Sequence, residues 1–203
     1  GADLCKEKIR VHKDYMTTIK INNDKQIDAH RDRINELRQN NDDLTLDISD
    51  LQFEITKLMA DIQDQNTVSS KIKELETLRA AFRDKINKIR KDVVFYHDND
   101  SCPTCKQGIE HDFKSSTIEK KNAQLTESEI ALTEIDTKYN ELIDRLTEIT
   151  AINDQITDLN NKIFECNTQI KSNSSFIVKL EEEIARLSKD HQENTDDQDK
   201  LNA

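Results

Sequence analysis

Two glycines and one proline are the only strong chain-turning residues in 203 positions. Sheets and many-helix globules change direction often and rely on such residues to do so, and both are therefore excluded. Tryptophan is absent, aromatics make up 4%, and hydrophobic residues are 34% against 35% charged, which is too little apolar material for one large core. No run of about 18 apolar residues occurs, so a membrane-spanning helix is not expected, and no secretory pattern opens the chain. Four cysteines stand at uneven spacings and only Cys102 and Cys105 are neighbours, a poor match to a secreted disulfide framework. These absences read as a soluble, cytoplasmic protein with no membrane partner. A net charge of -11 disfavours nucleic-acid binding along the arms, because that affinity comes from Lys and Arg on phosphates. Gly1-Ala2, followed at once by helix-like sequence, reads as a cloning remnant, with the natural chain continuing beyond both ends.

What remains is periodicity. Ile27, Ile34, Asn41, Ile48, Ile55 and Ile62 recur every seven residues, with Leu37, Leu44, Leu51, Leu58 and Gln65 as companions, the a and d positions of a coiled coil. After Ser69 the frame slips, as in a stutter or stammer, and resumes as Ile72, Leu75, Leu78, Phe82, Ile86, Ile89 and Val93. The second half repeats the design with Ile135, Leu142, Ile149, Ile156, Ile163, Ile170, Ile177 and Ile184, seven apart without a gap. Asn41, Asn153 and Asn173, on or near these seams, are expected to set register at some cost in stability. Pro103 and Gly108 both fall in the one helix-incompatible stretch, His97–Gly108, and Ser116-Thr117-Ile118-Glu119 offers a capping box for a helix restarting near Ser115. The expected fold is all-α: an ascending arm 1–96, a turn 97–115 and a descending arm 116–203, folded back as a long antiparallel coiled-coil hairpin. A parallel dimer running straight through is the rival, but it leaves the matched arm lengths unexplained.

Cys102-Pro-Thr-Cys105 can aim two sulfurs at one tetrahedral ion about 2.3 Å away, with Gly108 expected to let the chain leave the turn at a positive φ. Two thiolates are half of a closed zinc site. Cys5 and Cys166 are too far along the arms to help, so the other half is expected from a second copy: one Zn2+ per dimer, held by Cys102 and Cys105 of each chain. Two other readings stay open. His97 and His111 flank the turn and could complete a Cys2His2 site within one chain, turning the protein into a plain coiled-coil scaffold, although they lack the His-x3-His pairing of a zinc finger. A dithiol redox site is the other, although no strand pattern surrounds the turn. Phe95, Tyr96, Ile109 and Phe113 are expected to pack at the tip with Pro103, and Lys106 to offset part of the charge of a zinc tetrathiolate.

Two long coiled-coil arms with Cys102, Pro103, Thr104 and Cys105 at the apex resemble the zinc hook of the SMC-like ATPase subunit of double-strand-break repair nuclease complexes. The Asn- and Asp-rich arms are similar to those of its bacteriophage members. The resemblance implies a spacer that joins two ATPase heads or DNA ends in repair and recombination, with ATP-binding head, nuclease subunit and DNA engaged by regions outside this segment. A phosphate-binding Gly-x4-Gly-Lys-Ser/Thr loop cannot occur where the glycines are Gly1 and Gly108, so the segment itself is expected to be non-catalytic.

Overall fold

The computed structural model describes the backbone of residues 2–202 and the side chains among them except those of Ala2, His191 and 194–202. Gly1, half of the expected cloning remnant, lies outside the described residues. The chain is all-helical: α1 Ala2–Asp61, α2 Gln65–Asp98 and α3 His111–Asn202. Helices of this length lie far beyond the globular range and persist because an apolar stripe is buried along them, with breakers nearly absent. No helix among the described residues is long and apolar enough to cross a membrane.

The chain divides into two units, each an antiparallel helix pair. One comprises the α1 residues up to Thr56 with the α3 residues from Thr157. Its seam holds Ile34 and Leu37 against Ile177 and Leu180, with Ile184 packed alongside. Arg38 pairs with Glu181 at 2.8 Å while Asn41 reaches Ser174, so numbering rises on α1 as it falls on α3. The expected seam asparagine is at the centre of a network. Asn173, buried, donates to Asn40 Oδ1 at 2.8 Å and Asn41 Oδ1 at 2.9 Å, and accepts from Gln169 Nε2 at 2.8 Å. A buried amide is tolerated when its donors and acceptors are matched, and these partners exist at one alignment of the two helices.

The other unit, Lys57–Ile156, pairs α2 and the last residues of α1 with the first half of α3. Ile62, Val68, Ile72 and Ile149 form its buried cluster, flanked by Tyr139, Leu142, Leu146 and Ile156. The pairs Gln65–Asn153, Glu76–Tyr139, Arg79–Asp136, Arg90–Glu129 and Asp92–Lys121 run in antiparallel order. The Arg79 guanidinium also lies 4.1 Å from the centre of the Tyr139 ring. Nearer the turn the buried positions are Ile86, Ile89 and the small Ser128.

Two expectations about helix ends are corrected. The interruption in the first arm falls at residues 62–64, ahead of the slip placed after Ser69. The stripe passes from Ile62 to Val68, both buried, in six residues instead of seven, and the short non-helical piece absorbs the difference. The helix after the turn starts at His111, so the Ser116–Glu119 capping box lies inside α3. Glu110 opens that helix by accepting the Lys114 amide at 2.9 Å, which leaves the box nothing to cap.

Candidate metal centre

α2 ends because Asn99 turns the chain extended and doubly caps it. Its amide donates to the Phe95 carbonyl at 3.1 Å and its side-chain Nδ2 to the same oxygen at 2.8 Å. Ser101 and Gly108 then form an isolated antiparallel bridge, reinforced by the Ile109 amide on the Asp100 carbonyl at 2.8 Å. Within that bridge the Cys102 amide donates to the Gln107 carbonyl and the Lys106 amide to the Cys102 carbonyl, each at 2.8 Å. These three bonds make a closed loop of six residues, 102–107, between two helices, with both cysteines on it.

Lys106, with φ 62°, takes the left-handed conformation that reverses the chain, and Gly108 does not have a positive φ. The expectation for Gly108 is thereby corrected: the reversal belongs to the residue directly after the second cysteine, where the amide must turn back to the Cys102 carbonyl. Gly108 sits in the bridge, and a Cβ there would meet nothing within 4 Å.

The two thiols differ. Cys102 is half-buried and Cys105 exposed. The amide of Cys105 first, then the amide of Thr104, then the Cys105 thiol hold the Cys102 thiol below its ordinary pKa, by hydrogen bonds that favour the thiolate. Amides of the residues that follow, directed back at the first sulfur, suit a metal-binding Cys-x-x-Cys turn, because a coordinated thiolate keeps lone pairs that need donors. The Cys105 thiol is itself a donor, reaching Gln107 Oε1 at 3.8 Å. On this donor set the residues fit half of a tetrahedral thiolate site.

The expected companions fall as follows. Phe95 and Tyr96, half-buried at the end of α2, meet edge to face at 5.3 Å, and Tyr96 meets Phe113 of α3 at 6.3 Å. Ile109 is half-buried, whereas Phe113 remains exposed. His97 is exposed with Nδ1 2.8 Å from Asp98 Oδ1, and His111 is an exposed residue at the start of α3. Among the described residues no group of three or more His, Cys, Asp or Glu side chains is arranged to hold a metal ion. Cys5 is exposed and Cys166 half-buried, both as free thiols.

Sequence reasoning passed over two residues that build the turn. Lys114, largely covered, reaches Asp100 at 2.8 Å and ties the start of α3 to the loop, and its ammonium, more than the His111 ring, keeps the Asp100 carboxyl below the ordinary range. Asn99 is the other, and an asparagine directly after a helical stripe is a recognised stop signal. No protein-family model, curated protein or solved structure matches this chain.

Proposed function

We propose that the chain is one long antiparallel coiled-coil hairpin whose turn joins the same turn of a second copy through a single zinc ion, bound by Cys102 and Cys105 of both chains. The observation that carries the reading is the pair of thiols on one hydrogen-bonded turn, the first of them served by two backbone amides. Four ligands close a structural zinc site, and one turn brings two. When bound, zinc in such a site supplies association energy instead of turnover. The loop's own hydrogen bonds pre-orient both sulfurs, so little ordering is left to the moment of joining. The aromatic group of Phe95, Tyr96 and Phe113 stiffens the base on which the turn stands.

The module is then mechanical, a spacer with a detachable joint at its end. By its resemblance to zinc-hook segments, it would bridge two ATPase heads or two DNA ends in cytoplasmic double-strand-break repair and recombination. Nuclease subunit and DNA would bind the heads. Light scattering and metal analysis on one sample, before and after chelation, test this. The expected result is one zinc per two chains with a dimer mass that halves on chelation, and monomer alone in Cys102→Ser with Cys105→Ser. A monomer carrying one zinc per chain would refute the shared site in favour of an intrachain one.

A further inference from the structure

The interruption at residues 62–64 is not marked by any helix-breaking residue. Sharp breaks in helices come from proline, from glycine and serine pairs, or from inserted groups, yet Ile62-Gln63-Asp64 contains neither proline nor glycine. In an unbroken helix the Asp61 carbonyl would accept the Gln65 amide. Instead Gln65 donates to the Ile62 carbonyl at 3.1 Å, Ile62 donates to the Met59 carbonyl at 3.4 Å, and the Val68 amide on the Asp64 carbonyl at 2.9 Å opens α2. The break therefore releases the Asp61 carbonyl at the end of α1 and the first amides of α2.

Arg145, on α3, takes up the first of these. Its Nη2 donates to the Asp61 carbonyl at 2.6 Å, and its Nε and Nη2 hold both Asp64 carboxylate oxygens at 3.0 Å each. Nη1 reaches Glu148 at 2.9 Å. One guanidinium thus closes the carboxyl end of α1, where the helix dipole favours a cation, and forks onto the residue that precedes α2. The charges stabilise each other: Arg145, chiefly through its bonds to Asp64, holds its proton more tightly than usual, and the Asp64 carboxyl lies below its ordinary range.

Asp64 is also the N-cap of α2, and an aspartate there ordinarily accepts amides of the first turn. Here it makes no side-chain cap bond. Its oxygens are on Arg145, although the Asn66 and Thr67 amides lie at the N2 and N3 positions that an N-cap carboxylate serves. With φ -81° and ψ 0° Asp64 is in the right-handed helical region, so serving those amides takes a rotation of its backbone into the extended conformation of a capping residue.

We propose that Arg145 is a latch on a two-position joint: Asp64 exchanges between the guanidinium, which ties the end of α1 to α3, and the Asn66 and Thr67 amides, which cap α2 and release that tie. In the second position the Asp61 carbonyl turns to water and Arg145 keeps Glu148, so no buried group is stranded. Ile62, Val68 and Ile149 keep the seam closed in both. The latch sets the local stiffness of this unit, and the inference stands independently of any metal at the turn.

Amide hydrogen exchange on the whole chain tests it. Arg145→Lys keeps the charge and loses the fork. It is expected to speed exchange at residues 61–65 by roughly three- to tenfold, the scale of a partly exposed pair, with exchange near Arg79 and Ile86 unchanged. Asp64→Asn can cap but cannot hold a guanidinium as a charge, whereas Asp64→Ala can do neither. The two-position joint therefore requires slower exchange at Asn66 and Thr67 in Asp64→Asn than in Asp64→Ala. Salt at about 1 M, which screens the exposed pair without a substitution, should reproduce the Arg145→Lys pattern in the natural chain. Unchanged exchange at 61–65 in Arg145→Lys, or identical behaviour of the two Asp64 variants, would overturn the proposal.

Discussion

Asn173 offers a measurement in which two substitutions at one position separate the parts of a buried polar contact. It is 5% exposed and makes three side-chain hydrogen bonds, to Asn40, Asn41 and Gln169. Asn173→Ala and Asn173→Leu both remove all three. The partners are not trapped afterwards, because Asn40 and Gln169 are exposed and Asn41 is half-buried, so water replaces what each loses. The cost is then the net value of each bond, about 1 kcal/mol, or about 3 kcal/mol together. Alanine also leaves the seam underfilled. Leucine instead returns about 2 kcal/mol of apolar burial, so its net cost is near 1 kcal/mol. Urea unfolding at equal slope, with chelator present so that association does not contribute, should place Asn173→Leu above Asn173→Ala by about 2 kcal/mol. A leucine variant no more stable than the alanine one would refute the premise that leucine gains apolar burial on this seam while leaving water free to reach the partners. What leucine forfeits is discrimination. Combined with Cys102→Ser and Cys105→Ser, it should show concentration-dependent association that the Asn173 parent lacks, because an all-apolar seam no longer penalises misaligned or intermolecular pairing.

Three further outcomes follow from particular contacts. Ile149, 1% exposed among Ile62, Val68 and Ile72, should cost about 2–5 kcal/mol when truncated to alanine, read by urea unfolding; a loss under about 1 kcal/mol would mean the seam collapses around the gap. Lys106→Val should weaken the turn by about 1–2 kcal/mol because a β-branched residue resists the left-handed conformation, whereas Lys106→Gly should be near neutral, strain relief offsetting added chain entropy; metal affinity of the two variants measures the difference. Protons and metal compete for thiolate, and the Cys105 and Thr104 amides weaken proton binding at Cys102. As pH falls, the folded chain should therefore hold zinc to a lower pH than a flexible Ser101–Gln107 peptide, followed with a chromophoric chelator; coincident release curves would show that those amide bonds contribute nothing.

The seam was legible because its cause is local and repeated. Ile27, Ile34, Ile62, Ile86, Ile89, Ile149 and Ile177 are all buried as their spacing implies. Ile48, Ile55 and Ile163 of the same series are only half-buried, since two helices cover less of each stripe than a bundle would. That Cys102 and Cys105 share one turn was legible for a similar reason, both belonging to one four-residue string. What escaped the sequence depends on partners far along the chain or on backbone closure. The break at 62–64 is held by an arginine 84 positions away, and no glycine or proline marks the spot. Asn40 joins the Asn173 network only because antiparallel pairing brings α1 and α3 together, whereas Gln169 lies one turn earlier on α3 itself. Conformational freedom alone points to Gly108 as the left-handed residue, yet the position is chosen by which amide must return to the Cys102 carbonyl, and that is Lys106. Residue preference thus yields to hydrogen-bond closure inside a loop this short. A lysine is kept in a strained conformation so that the turn carrying both cysteines can close.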